Sequence, residues 1–486
     1  MLARTVTHAL VGLEPRRVEV EAHLGGGLPA FAIVGLVDRA VQEAKHRIRS
    51  GVASASLPWP DGKITVNLAP AQLRKEGSSF DLAIALAILG AARLIPPDRL
   101  QEHAAVGELA LDGRLRPVGG VLAVAEGATR AGIDRLLCAP ECAAEAALAG
   151  VEPVPVRHLA EVVAYLRGEV ELPWTPNGNG RPPPRVGLDL ADVRGQERAR
   201  RALEIAAAGR HNLLLAGPPG TGKTMLARRL PSILPPLTQG EALEATRIHS
   251  VAGLTTREHP LLTDPPLRAP HHSASMAAIV GGGPTARLGE ATLAHHGVLL
   301  LDELPEFQRP ALEALRQPLE DGIVSIARVG GRATYPARFT IVATMNMCPC
   351  GARGDPALTC TCSQQRLSAF RDKLSRALLD RFDLVVRAPR PRATELAAAP
   401  CESSADVRER VVAARARLEH GAPRRTSAAE ALLSNAVERL PLSGRGRARV
   451  ARVARTIAAL VGSEAVESEH LAEALSYRSP KELEVR

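Results

Sequence analysis

The sequence predicts a multidomain α/β protein in which an N-terminal α+β domain, a central αβα core and a C-terminal helical domain follow one another. Three observations predict this class. A glycine-rich loop follows an apolar run at residues 213–224, and a second apolar run ends in two carboxylates at 302–303. A segment dense in Pro, Gly and Asn separates both from the first 170 residues. With 486 residues, the chain can form two or three domains that each bury a core.

The glycine-rich loop has the sequence GPPGTGKT and fits the pattern G-x-x-x-x-G-K-[ST] directly after an apolar strand. Glycines let the backbone curl so that its N–H groups face phosphates. Lys223 would reach the β- and γ-phosphates, and the hydroxyl of Thr224 would bind Mg²⁺. The predicted nucleotide-binding residues are Gly217, Pro218, Pro219, Gly220, Thr221, Gly222, Lys223 and Thr224.

The second motif, VLLLDE, places Asp302 and Glu303 at the carboxyl end of a buried strand. Asp302 is predicted to hold Mg²⁺, and Glu303 to orient or deprotonate the attacking water. Such a pair can also cap the helical turn that follows. Together with the phosphate loop, it predicts hydrolysis of a nucleoside triphosphate.

Composition and charge limit the partners. The formal charge of +9 makes a polyanionic partner plausible, although an arginine-rich genome would give the same excess. The N-terminus is charged before any adequate apolar run, and the stretch 82–94 is broken by Arg93 and too short to cross a bilayer. We therefore expect a cytoplasmic protein without a membrane partner.

Four of the seven cysteines, Cys348, Cys350, Cys360 and Cys362, lie within fifteen residues as CPCG followed by CTC. Four thiolates can hold a structural Zn²⁺, although zinc sites more often have C-x₂-C spacing. Reduced structural thiols and redox chemistry remain as alternatives, and a disulfide framework is disfavoured in a large cytosolic ATPase.

The pattern along the chain predicts four regions: a domain at 1–170, a linker at 171–187, an ATPase core at 188–393 and a helical lid at 394–486. Periodicity predicts strands at 17–21, 64–68 and 339–344 and a hairpin at 321–338. Helices are predicted at 81–92, 121–131, 405–418, 428–440, 444–460 and 468–477, with Ser443 and Glu467-Ser468 at N-cap positions.

Several ordered segments resemble one family. VGLVDRAVQEAKHRIRS (34–50), KEGSSFDLAIALAIL (75–89), GPPGTGKT, the stretch 268–307, MCPCG, LLDRFDL (378–384) and LSGRGRARVARVARTIA (442–458) are similar to the ComM/YifB-type magnesium-chelatase-like AAA+ ATPases. The resemblance is nearly full length. It implies a ribosomal-S5-like, Lon-protease-like N-terminal domain, an AAA+ core and a helical lid.

The same resemblance extends the active site. Asn346 matches the sensor that polarises water, and Arg381 matches an arginine finger that acts on the γ-phosphate of a neighbouring subunit. Arg445 best matches the lid's sensor arginine, with Arg449 one turn away as the alternative. A finger supplied in trans implies a ring, hexameric in similar proteins.

The predicted hairpin carries Arg328 and Arg332 beside its turn, and family members direct such elements toward the ring pore. These arginines are therefore candidates for contact with DNA phosphates, or simply solvated hairpin residues. His271 and His272 could be ligands, but a surface role is favoured.

The N-terminal domain departs from the Lon pattern. Ser79 occupies the position of Lon's nucleophile, but Leu122 stands where a lysine base follows Gly-Gly. The domain is thus expected to lack protease activity.

Three functions compete. The resemblance favours a hexameric ATP-dependent motor, a helicase that acts on single-stranded or branched DNA with recombination proteins, as in natural transformation. The alternatives are a chelatase-type motor for metal insertion into a porphyrin and a Lon-like protease.

Overall fold

The structure is a computed structural model that describes residues 1–175, 187–283, 287–328, 331–399, 401–421, 423–440 and 443–478. The chain divides into two compact units. Unit 1 comprises Met1–Arg181 and Gln239–Leu262, and unit 2 comprises Pro182–Thr238 and Thr263–Arg486. Each unit has its own hydrophobic core.

Unit 1 is built on a mixed seven-stranded sheet, of which the alternating apolar pattern predicted two strands. The first two strands form an antiparallel hairpin in which Val6 faces Glu19. The strand order is Ala30–Val34, Lys63–Ala69, Glu14–Gly25, Leu2–Val11, His103–Ala105, Arg135–Cys138 and Glu152–Pro155. The strands predicted at 17–21 and 64–68 are therefore confirmed as parts of longer strands.

Helices cover this sheet, and one of them is apolar on every side. Each residue of Asp81–Ala91 is buried, which gives the unit its central core helix. A short pair of strands, Glu108–Leu109 and Leu115–Arg116, lies beside the sheet. The other helices are Arg39–Ser54, Pro97–Gln101, Val121–Arg130, Ala143–Ala147 and Leu159–Leu166, with a 3₁₀ turn at Pro140–Cys142.

Residues 239–262 belong to unit 1, although sequence patterning assigned them to the central core. The helix Gln239–Val251 packs on Val121–Arg130, and the N–H of Gly120 donates to Ser250 O (2.9 Å). The hydroxyl of Thr255 donates to Glu145 Oε2 (2.8 Å). These contacts are long-range in sequence, so local periodicity could not predict them.

Unit 2 contains a five-stranded parallel sheet. Two of its strands, Leu213–Ala216 and Val298–Leu301, are continuous apolar runs, as expected when both faces are covered. Its order is Leu267–Arg268, Val298–Leu301, Thr340–Met345, Leu213–Ala216 and Leu384–Arg387. The strand predicted at 339–344 is confirmed. The carboxyl ends of the strands meet at one edge, where α/β sheets place ligands.

Helices surround the parallel sheet, and 3₁₀ turns form at Leu190–Asp192 and Leu304–Glu306. Two small strand pairs accompany them, Gly281–Gly282 with Arg287–Leu288 and Arg424–Arg425 with Ala465–Val466. The helices before residue 400 are Glu197–Gly209, Lys223–Ala227, Leu230–Ile233, Met276–Val280, Glu290–Leu293, Arg309–Ala314, Arg316–Asp321, Gln364–Asp372, Arg376–Leu379 and Ala393–Leu396.

The helical C-terminal region is confirmed, with helices at Ser404–Gly421, Ser427–Arg439, Gly444–Val461 and Ser468–Ser476. Ser443 caps the third helix by accepting from the N–H of Gly446 (3.1 Å). At the fourth, the N–H of Glu467 donates to His470 Nδ1 (3.0 Å). These helices share one apolar core with Glu197–Gly209.

The predicted hairpin also forms, with Ile323–Arg328 antiparallel to Gly331–Pro336. Its turn lies outside the described residues. No helix in the described part of the chain is both long and apolar enough to cross a bilayer.

Candidate functional site

The phosphate loop lies at the carboxyl edge of the parallel sheet, between the strand Leu213–Ala216 and the helix Lys223–Ala227. Gly222 has a φ of +85°, a conformation that L side chains rarely adopt. A Cβ on Gly217 would lie 2.2 Å from the backbone oxygen of Ala388, the residue after the neighbouring strand Leu384–Arg387, so packing requires glycine at this position. The loop shape therefore depends on glycine for two separate reasons.

Thr224 and Asp302 come together from neighbouring segments at this edge. Thr224 Oγ1 donates to Asp302 Oδ1 at 2.8 Å. The hydroxyl of Thr344 donates to the same carboxylate oxygen at 2.5 Å. Hydroxyl and carboxylate oxygens are the ligands that Mg²⁺ prefers, so Thr224 and Asp302 are suitably placed to hold it.

Lys223 is folded back into the loop. Its Nζ donates to the carbonyls of Gly217 (2.9 Å) and Pro218 (2.6 Å) and to Asn346 Oδ1 (3.2 Å). Burial lowers the pKa of Lys223, against the opposing effect of Asp302 and Glu303. The ammonium group thus lies between the loop carbonyls and the predicted sensor, and phosphate oxygens could replace these partners.

Glu303 follows Asp302 in the left-handed backbone region, with a φ of +57°. Its N–H donates to Thr344 Oγ1 (3.0 Å), which fixes the backbone while the side chain stays 57% exposed. The carboxylate lies 3.8 Å from His272 Nδ1. The geometry leaves Glu303 open to solvent, as a group that activates water requires.

Arg381 and Arg445 meet at a different place, on the carboxylate of Glu320. Arg449 instead lies 3.7 Å from Asp383, with its side chain only 13% exposed, whereas Arg445 is 68% exposed. The hydrogen bonds described for the Arg381 guanidinium go to Glu320 and Ala377. The structure therefore groups Arg381 with Arg445, and it does not bond either one to the phosphate loop in the part of the chain described.

The candidate DNA contacts lie near the end of the hairpin. Arg332 is paired with Ala327, and Arg328 with Gly331. The side chains of both arginines fall outside what the structure describes.

The four clustered cysteines converge in space. The Sγ atoms of Cys348 and Cys350 lie 3.4 Å apart, and Cys360 Sγ is 3.7 Å from each of them. With Cys362, all four Sγ atoms lie within 4.8 Å of one another. A tetrahedral Zn²⁺ with bonds of about 2.3 Å requires S–S distances of about 3.8 Å. The cluster therefore matches the geometry of a four-thiolate metal site.

Hydrogen bonds from the Ala352 backbone and from neighbouring thiols lower the pKa of Cys350 to about 6. Gly351, the residue after Cys350, lies close to the phosphate loop: a Cβ at this position would be 2.9 Å from Pro219 Cδ. The cysteine cluster is thus adjacent to both Asn346 and the loop. Cys138, Cys142 and Cys401 are free thiols elsewhere.

The serine that resembles Lon's nucleophile, Ser79, makes no hydrogen bond to a base among the described residues. Leu122 is fully buried and its N–H donates to Glu145 Oε1 (2.7 Å). Lys75 is also fully buried, and its Nζ donates to Leu68 O (2.7 Å). Within the described residues, no side-chain hydrogen bond of Ser79 is found. The arrangement does not support serine protease chemistry.

Two residues of the nucleotide site carry no motif in the sequence. Thr344 bridges Asp302 and the backbone of Glu303. Gln196 donates from Nε2 to Thr221 O (3.0 Å) and Pro389 O (2.6 Å), which ties the loop to a distant segment. The sequence could have indicated Thr344, because it is a polar residue in a mainly apolar strand. No feature of the sequence around Gln196 indicated its role.

Comparison with known proteins identifies the family. Three family models match: the ChlI subunit of magnesium chelatase at residues 189–396, "Subunit ChlI of Mg-chelatase" at 20–142, and the ChlI C-terminal region at 401–478. The chain is 44% identical to an uncharacterized protein of Mycobacterium tuberculosis, with 98% of each chain covered.

Two further relatives are also similar over nearly their full length. They are the YifB protein of Escherichia coli, with 41% identity over 97% of this chain and 96% of that protein, and the competence protein ComM of Haemophilus influenzae, with 41% over 98% and 97%. This family implies ATP and Mg²⁺ as ligands of the phosphate loop. The chain belongs to the ComM/YifB-type magnesium-chelatase-like AAA+ proteins.

Proposed function

We propose that the protein is a ring-forming ATPase whose motor activity acts on branched or single-stranded DNA. The observation that carries the ATPase is the convergence of Lys223, Thr224 and Asp302 at one sheet edge. Nearly full-length similarity to a competence protein supports DNA as the track. A net charge of +9 agrees with a polyanionic partner.

In the proposed reaction, Lys223 and the loop N–H groups bind the β- and γ-phosphates of ATP. Thr224 and Asp302 would hold Mg²⁺, which neutralises charge on those phosphates when bound. Glu303 accepts the proton of the attacking water, and Asn346 orients that water. Two groups of hydrogen bonds hold these residues at the sheet edge. One joins Lys223 to Asn346, and the other joins Thr224, Asp302 and the Glu303 backbone through Thr344.

The site requires a second subunit in this proposal. Arg381 stabilises the negative charge that develops on the transferred phosphoryl group of a neighbour, and Arg445 assists from the lid. Their separation from the phosphate-loop network in the described contacts supports action in trans. A hexameric ring is the assembly proposed, and Arg328 and Arg332 would contact DNA phosphates at its pore.

We assign the four cysteines to a structural Zn²⁺ site. Their Sγ separations of 3.4 and 3.7 Å support this assignment, since a tetrahedral Zn²⁺ with four thiolate ligands requires separations of about 3.8 Å. The metal would hold the segment after Asn346 against the phosphate loop.

The runner-up is a chelatase-type motor that drives metal insertion into a porphyrin, favoured by the ChlI descriptions of the matched family models. The decisive experiment measures ATP hydrolysis with branched DNA, casein or a chelatase partner subunit. We expect branched DNA to stimulate ATP hydrolysis, and casein and the chelatase partner subunit to leave the rate unchanged. An absence of DNA stimulation together with no DNA binding at low salt contradicts the proposal, and stimulation by the chelatase partner establishes the runner-up.

A further inference from the structure

Glu320 connects the two arginines proposed to act in trans. It lies at the end of the helix Arg316–Asp321. Its Oε2 accepts from Arg381 Nη2 at 2.5 Å, and its Oε1 lies 2.8 Å from Arg445 Nη2. One carboxylate therefore neutralises two guanidinium groups from separate segments of unit 2.

The surroundings of Glu320 form a cationic cavity of about 260 Å³. Arg381, Arg445, Arg449 and Arg452 line it together with Glu320. Asp383 pairs with Arg449 and Arg452 at 3.7 and 3.2 Å. The four guanidinium groups exceed the two carboxylates, Glu320 and Asp383, by two charges, so the cavity suits an anion.

Arg381 is buried and hydrogen-bonded within its own subunit. Its side chain is only 7% exposed, whereas that of Glu320 is 45% exposed. The guanidinium is tied to Ala377 O (2.8 Å) and to Glu320. A phosphate on another subunit would therefore compete with Glu320 for the Arg381 guanidinium.

We propose that Glu320 is a competing counter-ion: it holds Arg381 and Arg445 inside the subunit until the triphosphate of a neighbouring copy displaces it. This inference rests on the proposed action of Arg381 in trans. The hydrogen bond and charge of Arg381 lower the pKa of Glu320, so the carboxylate is ionised at neutral pH. Glu320 is thus a positioning residue that restrains hydrolysis.

The restraint is connected to the hairpin. Gly322, with a φ of +68°, ends the helix of Glu320, and Ile323 begins the first hairpin strand. The N–H of Ala337, just after the second strand, donates to Gly322 O (2.7 Å). Movement of the hairpin on DNA would therefore be transmitted to Glu320 over two residues, which couples DNA contact to release of the arginines.

The test compares Glu320→Gln with Glu313→Gln, a control in a neighbouring carboxylate that pairs with Arg316 at 3.1 Å. In steady-state assays without DNA, Glu320→Gln is expected to raise kcat by at least about threefold, because the population of released arginines rises. Its stimulation by DNA should shrink by the same factor. The control should match the wild type in both measurements.

A merely structural role for Glu320 would lower kcat, so the direction of change distinguishes the two. Unchanged or lowered kcat in Glu320→Gln, with a wild-type melting temperature, overturns the inference. If that variant unfolds, Glu320→Asp is measured instead and must also raise kcat. The double variant Glu320→Gln, Arg381→Ala should be as inactive as Arg381→Ala alone. If Arg381→Ala retains full ATPase activity, the proposed action in trans fails first.

Discussion

The hydroxyl of Thr224 and the carboxylate of Asp302 are joined by a 2.8 Å hydrogen bond across the edge of the parallel sheet. The two residues are 78 positions apart in sequence. Parallel strands bring them together because both motifs follow strands that end at the same edge. This pairing makes the carboxylate next to Asp302 the candidate for activating water.

Replacing Glu303 by Gln should lower kcat for ATP at least about 100-fold, since a general base contributes that much or more. ATP should still bind, because Lys223 and Thr224 are unchanged, and the bound ring should persist in size-exclusion chromatography. Glu306→Gln is the matched control, since the ion pair described for its carboxylate, with Lys373 at 3.5 Å, is exposed. Normal hydrolysis by Glu303→Gln would remove Glu303 from the catalytic role.

Replacing Thr344 by Val should lower kcat about tenfold and raise the Mg²⁺ concentration needed for half activity, as loss of a group that orients a metal ligand does. The hydroxyl holds both Asp302 and the Glu303 backbone. Thr340→Val makes the same exchange on the same face of that strand and should have little effect. Equal effects of the two substitutions would contradict a special role for Thr344.

Mixing Arg381→Ala with Lys223→Ala should restore ATPase activity that neither variant has alone. At some interfaces of a mixed ring, an intact phosphate loop meets an intact Arg381. Titration of one variant into the other, followed by phosphate release, measures the gain. If the mixture stays as inactive as its components, Arg381 does not act in trans.

Purified protein should contain about one Zn²⁺ per chain by mass spectrometry of the metals, because four thiolates form a complete tetrahedral site. Replacing Cys360 by Ser should lower the zinc content and weaken ATP binding, since Gly351, next to Cys350, lies close to Pro219 of the phosphate loop. Cys401→Ser, outside the cluster, is the control. A metal-free wild type with normal ATP affinity would leave the cluster as reduced thiols.

Stability should fall as the pH falls from 6.5 toward 4, in part through His211. Burial lowers its pKa from 6.5 to about 4, while Nε2 contacts Thr456 Oγ1 at 2.8 Å. Between pH 6.5 and pH 4, His211 is protonated in the unfolded chain but mostly neutral in the folded chain. The free energy of unfolding therefore decreases over this range, by about 3 kcal/mol.

Urea unfolding of His211→Gln at pH 7 and pH 4.5 measures this contribution. The variant should lose less stability on acidification than the wild type. His259→Gln, at an exposed histidine, should behave as the wild type does. Parallel loss in all three proteins would contradict the assignment.

The sequence predicted the strands at 17–21, 64–68 and 339–344, the hairpin, the four C-terminal helices and the two motifs, because local periodicity or a contiguous pattern encodes each of them. Ser443, for example, caps its helix three residues from its partner Gly446. The convergence of the cysteines was also foreseeable, since all four lie in one short segment.

Long-range packing was not predictable in the same way. Within unit 1, the helix Gln239–Val251 contacts Glu126, Glu145 and Gly120, each more than a hundred positions from its partner in the helix. Glu320 has no motif, and its importance depends on two arginines brought to it by the fold. No local pattern in a single sequence predicts contacts between residues so far apart.

Movement of a synthetic four-way DNA junction, followed by gel separation of labelled strands, tests the proposed DNA motor. The wild type should convert the junction to its products with ATP, and Glu303→Gln should bind the junction without converting it. If the wild type neither binds the junction at low salt nor moves it with ATP, the motor acts on another substrate.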